Sequence, residues 1–451
     1  MALIAPFKGT TYNLPFVKDI SRLVTPPYDV ISEDDRKRYY ASHPNNIIRL
    51  VLGEKKTGDS DWDNRYTRAA DYLNRWEAHG ILIRSTRHCV YLTSHTFSPG
   101  TGGQPLTRWG LVVLVHIEEE GSGIILPHEK TFSAHKDDRL KLMRACNANF
   151  SQIFALYDDP SQNALSLCRK HCDYQPLIQF EFEDGSLHRM WEISNSEIFS
   201  FLAHFFRNRS IYIADGHHRY ETSRNYRNIM RARYGRRPPN KSYEFTLMYL
   251  CGMQDIGLKV LSSHRLLRIT RHFEITSFLE KQKENFDIEQ LSLEGKNNEH
   301  DAVTVSMSLR ERGMDGTALA VCTKGSHNCH ILRLKPGMEV KLGTDLHPAQ
   351  KKLDVIVLSR LILQKGLGLT KEDLDDDQLI HYESNMAKAL SGVREGRYRL
   401  AFLLNPTRIE QVKEVADSRL VMPRKSTYFY PKVLSGMVFN KIDPHETLPT
   451  L

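Results

Sequence analysis

The stretch Ile211-Tyr212-Ile213-Ala214-Asp215-Gly216-His217-His218-Arg219 decides the reading of this chain. The apolar run Ile211–Ala214 predicts a short buried strand. Beyond the turn, Tyr226, Ile229, Met230 and Tyr234 recur at helical spacing, and Gly235 with Pro238-Pro239 closes the run. The expectation is a strand, a tight turn at Gly216 and a helix over His217–Tyr234. A helix start presents N–H groups without intrahelical partners and a partial positive charge. Glycine lets the backbone approach a ligand closely. Arg219 can grip phosphate oxygens through two parallel hydrogen bonds. His217 and His218 titrate near neutrality and can donate to a phosphate or move a proton. Asp215 can orient a histidine, accept a hydroxyl proton or hold Mg2+. The pattern therefore nominates Asp215, His217 and His218 as catalytic and Gly216, His218 and Arg219 as phosphate contacts. A capping Asp with solvated histidines is the competing reading. Shared zinc ligation is a third, disfavoured because adjacent helical side chains point about 100° apart.

Working outward, Ser194 with Glu197 predicts a capping box, and Ile198, Leu202, Phe205 and Phe206 form the helical face behind it. Tyr66, Ala69, Ala70, Leu73 and Trp76 predict a helix near 61–79, ended by Gly80. Strand-like runs follow at Cys89–Thr93 and Gly110–Ile117, and the turn Gly121-Ser122-Gly123 leads to Ile124–Glu129. Asp138-Arg139 predicts a helix start before Leu140, Leu142 and Met143. Further on, strands are expected at Val303–Leu309, Ala318–Cys322, Ile331–Leu334 and Leu400–Leu404. Helices are expected at Asp354–Gln364 and from Thr370, where Asp373 stands in the capping-box position. The class is α/β (α+β), with strands and helices interleaved. Three consecutive segments are expected: 1–160, 161–270 and 271–451.

A chain of 451 residues is too long for one ordinary core. Hydrophobic residues at 40% and charged residues at 26% fit a globular protein. No stretch approaches the roughly 20 apolar residues that span a bilayer, and Met1–Pro6 does not read as a secretory signal. Lys and Arg number 62 against 54 Asp and Glu, a formal charge of +8. That balance suits an anionic substrate or weak contact with nucleic acid, though positive charge spread along the chain makes nucleic acid the less expected partner. The seven cysteines are odd in number and scattered, which predicts reduced thiols and a cytoplasmic location.

Other polar clusters add candidates. His128 and Glu129 follow a strand-like run; Glu129 is a candidate general base, with a surface pairing to Lys130 or Arg139 as the alternative. Asp29 lies in a Pro-rich turn, and Asn46 and Arg49 lie in a second polar turn; with His128 they are candidate substrate contacts. In Met422–Lys432, Arg424, Lys425 and Lys432 are candidate phosphate cations, with Ser426 and Thr427 as hydroxyl donors. The acidic run Asp373, Asp375, Asp376 and Asp377 reads as a solvated surface.

Together the segments PPYDVIS (Pro26–Ser32), His43–Leu50, PHEKT (Pro127–Thr131), IADGHHRYET (Ile213–Thr222), Ser263–Leu267, GTDLHP (Gly343–Pro348) and MPRKSTYFYPK (Met422–Lys432) resemble the family known as domain of unknown function 1015. The Asp215–Arg219 turn is also similar to the signature turn of the ParB–sulfiredoxin superfamily, one branch of which contains free serine kinases. That resemblance implies a nucleotide-binding core carrying large additional α+β segments. It implies Mg2+, with Asp215 as ligand, ATP or ADP as phosphoryl donor, and L-serine as acceptor. It further implies a glutamate base upstream, for which Glu129 stands 86 positions before Asp215. The expected activity is a small-molecule kinase, with a homodimer as one expected assembly. A ParB-like DNA-associated regulator and a phosphate-ester hydrolase are the alternatives.

Overall fold

The computed structural model describes residues 1–99, 103–129, 133–269, 273–295 and 297–449, with backbone alone at 133–135. The chain forms two compact units. The first comprises Met1–Pro127, Thr131–Lys259 and Pro431–Leu451; the second comprises His128–Lys130 and Val260–Tyr430.

The first unit is built on a nine-stranded mixed sheet. Its strands are β1 (Ile4–Ala5), β2 (Val90–Phe97), β3 (Leu106–His116), β4 (Ile125–Leu126), β5 (Ile153–Tyr157), β6 (Ile178–Glu181), β7 (Leu187–Ile193), β8 (Ile211–Asp215) and β9 (Phe245–Gly252). They lie in the order β4-β8-β5-β9-β3-β2-β7-β6, with β1 on β3. The pairs β8–β4 and β9–β5 are parallel and the others antiparallel. The central strands read as near-continuous apolar runs because both faces are covered. One face carries Val90, Leu92, Leu111, Val113, Ile153, Ala155, Ile211 and Ile213. The helix Ser196–Arg207 lays Ile198, Leu202, Phe205 and Phe206 against that face. Each such side chain contributes about 1.5–3 kcal/mol on leaving water. The Ser194 capping box is displaced: the cap is Asn195, whose side chain accepts from the Glu197 and Ile198 N–H groups. Asn outranks most residues at that position.

Three further helices of this unit are α1 (Arg65–Ala78), α2 (Ser133–Cys146) and α4 (His217–Tyr234), with Ser196–Arg207 as α3. Asn64 caps α1 with both arms of a capping box. Helix α2 starts before the expected Asp138-Arg139. Helix α4 matches its expected span, and Met143, Tyr226, Met230, Tyr243 and Ile442 cluster beneath it. Its buried face differs from the expected one: Ile229 and Tyr234 are exposed, while His217, Arg219, Tyr220, Thr222, Ser223 and Arg227 are buried.

The second unit carries a six-stranded antiparallel sheet of β10 (His264–Leu267), β11 (Phe286–Ser292), β12 (Ala318–Thr323), β13 (Asn328–Leu334), β14 (Ile380–Glu383) and β15 (Leu400–Leu404), in the order β11-β13-β12-β15-β10-β14. Helices α5 (Asn298–Arg312) and α6 (Met386–Arg394) cover one face through Ala302, Val305, Leu309, Leu390 and Val393. The expected strand Val303–Leu309 is therefore the middle of α5. Its V-T-V-S-M-S-L alternation mimics a strand, yet the buried positions follow helical spacing and Val303 and Met307 face solvent. The expected helix Asp354–Gln364 is a turn of α-helix, Asp354–Val357, continued as a π-helix, Leu358–Gly366. Cys322 and Cys329 form a disulfide across β12 and β13, which corrects the expectation of reduced thiols throughout. The expected segments 1–160 and 161–270 share one sheet, and the end of 271–451 returns to the first unit.

Candidate functional site

Strand β8 pairs with β5 through Asp215, with a register shift between Ile213 and Asp215 that marks a bulge just before the turn. Gly216 then caps α4 with φ +92°, a conformation that costs an L-residue about 1–2 kcal/mol. A Cβ there would stand 2.8 Å from Arg219 Nε, so glycine is what lets the guanidinium fold back over the turn. Arg219 donates from Nη2 to Asp215 Oδ2 at 2.6 Å and from Nη1 to the Gln152 carbonyl. Its Nε is buried and has no acceptor among the described residues. Lys432 Nζ donates to the other Asp215 oxygen, Oδ1, at 2.7 Å. The three side chains are 15%, 10% and 14% exposed for Asp215, Arg219 and Lys432.

The charges here settle one another. Burial alone would raise the Asp215 pKa; Lys432 and Arg219 overcome it and hold the carboxyl well below the usual carboxylate range. Burial disfavours the Arg219 charge, yet Asp215 and Asp29 raise its pKa. Asp29 sits in the turn Tyr28–Val30 and is exposed by surface area. Loss of hydration among crowding protein atoms, then the Asp215 charge, raise its pKa against Arg219 and Lys432. Burial and the Asp29 charge push the Tyr28 hydroxyl up to about 12. Two carboxylates in one field are thus driven in opposite directions. A cavity of about 50 Å³ adjoins the turn, bounded by Tyr28, Arg139, Leu142, Phe150, Arg219 and Thr222. The Arg139 guanidinium lies 4.0 Å from the centre of the Tyr28 ring. His217 is buried at the turn and His218 is half-buried.

The remaining candidates divide between fold and a second cluster. Asn46 is fully buried, with its amide donating to the Arg22 carbonyl at 2.7 Å and accepting from Ile48 N–H at 2.8 Å, so its bonds hold its own turn. Arg49 donates to the His43 and Tyr40 carbonyls at 2.8 and 2.9 Å and lies over the Tyr40 ring, so its role is likewise that of a clamp.

In the second unit, His128 is fully buried beside Thr427, Nε2 to Oγ1 at 3.1 Å. Glu129 bridges to Met422, and its charge acts on Arg265, whose pKa burial pushes down to about 10. Arg424 pairs with Asp377 at 2.9 Å, and Lys425 lies 4.3 Å over the Tyr382 ring. Ser426 is buried and donates to the Pro423 carbonyl at 2.5 Å. Arg424 and Lys425 thus face Asp377 of the acidic run, and the Ser426 hydroxyl is taken by backbone. Lys130 and Thr131 lie outside the described residues.

The sequence named Lys432 as a phosphate cation but gave no sign that it meets Asp215. The positions are 217 apart, and only a return of the chain joins them. Tyr28 lies in the PPYDVIS segment beside the nominated Asp29 but is not itself a candidate by sequence, and Gln152 lies in no motif. Among the described residues no group of three or more His, Cys, Asp or Glu is placed to hold a metal ion. Both Asp215 oxygens are engaged by cations, so the turn does not fit Mg2+ held by Asp215. No helix among the described residues is long and apolar enough to cross a membrane.

No curated protein matches the chain. Among solved structures, a conserved hypothetical protein from Pyrococcus furiosus is similar at 11% identity and a TM-score of 0.35, over 73% of this chain and 95% of that one. A free serine kinase variant in complex with ADP is similar at 10% identity and a TM-score of 0.37, over 74% and 93%. SbnI from Staphylococcus aureus with a C-terminal truncation is similar at 9% identity and a TM-score of 0.34, over 72% and 85%. Likeness at this level carries no argument about activity. A sequence match is more extensive: the model of the DUF1015 family, described as a protein of unknown function, matches residues 4–356, and the chain belongs to that family.

Proposed function

We propose that this protein transfers the terminal phosphoryl group of a nucleotide to a small hydroxylated acceptor, with free L-serine the first acceptor to test. One observation carries the reading: the buried Arg219 guanidinium, with an unsatisfied Nε, folded over a glycine-capped helix start beside Lys432. A helix N-terminus with two cations is a ready seat for phosphate oxygens. The cations hold each other in place through Asp215, which keeps its charge at neutral pH and is thereby a poor proton acceptor. Asp29, whose pKa is raised, is the better base. The acceptor hydroxyl attacks the terminal phosphorus, its proton passes to Asp29, and the bond to the bridging oxygen breaks to release the shortened nucleotide. The cavity of about 50 Å³ beside Tyr28 and Arg219 seats an acceptor of few atoms. Glu129 belongs to the second unit, where its charge acts on Arg265.

Catalysis of this kind rests on positioning and charge. Arg219→Ala is expected to cost about 2–4 kcal/mol of transition-state stabilisation, a loss of roughly two to three orders of magnitude in turnover. The assay incubates the full chain with labelled ATP or ADP and a panel of hydroxy amino acids, and reads phosphoester formation by mass spectrometry. Turnover by Arg219→Ala within a few-fold of wild type rejects the site. Phosphate release from phosphoserine without transfer would favour a hydrolase.

A further inference from the structure

The sheet face opposite the α3 core bears a row of polar side chains in register. His188 of β7 stands opposite His95 of β2, and His95 stands opposite Arg108 of β3. All are buried, Arg108 to 1% exposure. The two imidazoles lie 3.9 Å apart between centroids, and the Phe180 ring stacks on His188 at 5.2 Å. The Arg108 guanidinium is flanked by the Phe154 and Tyr249 rings at 4.8 and 5.1 Å. Its Nε donates to the Tyr249 hydroxyl at 3.1 Å and its Nη1 to the Pro431 carbonyl. None of these neighbours is an anion. Among the described residues no carboxylate lies within 4.0 Å of the Arg108 guanidinium. Asp255 feels its charge but accepts from the Trp109 and Gly257 N–H groups at 3.1 and 2.8 Å.

A buried cation without a counter-charge is costly, and proteins rarely leave one so. Here the guanidinium borders a cavity of about 20 Å³, whose walls include His95, Gln152, His188, Tyr249 and Lys432. Three atoms of its lining residues, Ser94 Oγ, His95 Nε2 and Gln152 Oε1, are buried with no hydrogen-bond partner among the described residues; the first two can donate to an anion, whereas the Gln152 oxygen can only accept. Burial, and the proximity of His188 and Arg108, keep His95 neutral, and burial takes His188 down to about 4. A neutral imidazole can still carry its proton on Nε2 and donate.

We propose that this cavity binds one small monovalent anion, held by Arg108 and the His95 Nε2–H with Lys432 at its edge. A water-sized probe needs roughly 10–15 Å³, so the space admits one or two such atoms and excludes sulfate or phosphate. The occupant is a halide ion; formate, the smallest carboxylate, marks the upper limit of size that the test includes. The site is distinct from the Asp215 turn in its cation and its ligand size, although Lys432 borders both.

The test measures thermal unfolding of the full chain in sodium bromide, sodium formate or sodium sulfate at matched ionic strength. A saturable rise in Tm with bromide or formate, absent with sulfate, is expected. Bromide alone identifies a halide site, and formate alone overturns the halide assignment. His95→Phe, which removes a donor and leaves Arg219 and Asp215 untouched, is expected to weaken the response about tenfold. Crystals of the wild-type chain grown in whichever anion stabilises it should show that ion, by anomalous scattering for bromide or by density for formate, within hydrogen-bond distance of Arg108. The proposal is overturned by equal responses to all three salts, by an unchanged response in His95→Phe, or by the ion's absence at Arg108.

Discussion

Replacing Asp215 by Asn keeps the shape of the side chain and removes its charge. Arg219 and Lys432 then lose the anion they contact at 2.6 and 2.7 Å, with exposures of only 10% and 14%. Breaking a buried pair by deleting one partner costs about 3–5 kcal/mol. Asp29 already lies in the field of both cations and compensates in part, which places the expectation near 3 kcal/mol. For a unit of this size each kcal/mol lowers Tm by about 2–4 °C, so the drop at pH 7 should be about 6–12 °C. The pH dependence has a definite sign. The folded Asp215 pKa lies below its ordinary value of 3.8, so its stabilisation is complete above that value and fades as pH falls through the lower, folded value. The gap between wild type and Asp215→Asn is therefore widest at neutral pH and closes in acid. Inorganic phosphate should also stabilise Asp215→Asn more than wild type, because the two cations are then uncompensated. Scanning calorimetry from pH 7 downward, with and without phosphate, reads all three effects. Equal Tm at pH 7, or a gap that does not shrink in acid, would refute the account of the turn.

Gly216→Ala places a methyl 2.8 Å from Arg219 Nε at φ +92°, and is expected to cost about 1–2 kcal/mol in stability while moving the guanidinium; loss of turnover exceeding loss of stability is the check. Leu202→Ala, at 0% exposure in the α3 face, should cost about 2–5 kcal/mol by denaturant titration and leave phosphate binding unchanged in the folded fraction. Asp354 is partly open to solvent, yet burial raises its pKa from 3.8 to about 7 against Thr317 and Arg408. The folded state thus holds a proton that the unfolded state has lost, and stability falls as pH rises between those values; Asp354→Asn should remove that slope.

The turn was legible because its signals are local. An apolar strand, a glycine and a helical repeat lie within 25 residues, and α4 and β15 match their expected spans. The Thr370 capping box was read correctly with Asp in place of Glu, since either carboxylate can reach back to the cap N–H. Strand β7 and its neighbour row were not read, because His188, His95 and Arg108 acquire meaning only from cross-strand register. Asn46 and Arg49 look like site residues in sequence, since a polar group that braces a buried turn has the same composition as one that meets a ligand. The Cys322–Cys329 disulfide was missed for the same reason as Lys432: two positions are joined by a pairing that no spacing announces.

The return of Pro431–Leu451 to the first unit has a consequence for synthesis. Domains tend to fold as units while the chain emerges from the ribosome. Here Val260–Tyr430 is complete before the earlier unit has received its final piece. Asp215 must wait for Lys432 through more than two hundred residues of translation, with Arg219 its guanidinium partner in the turn meanwhile. A ribosome stalled shortly before Pro431 would hold a finished second unit and a first unit still missing one of the two cations that flank Asp215.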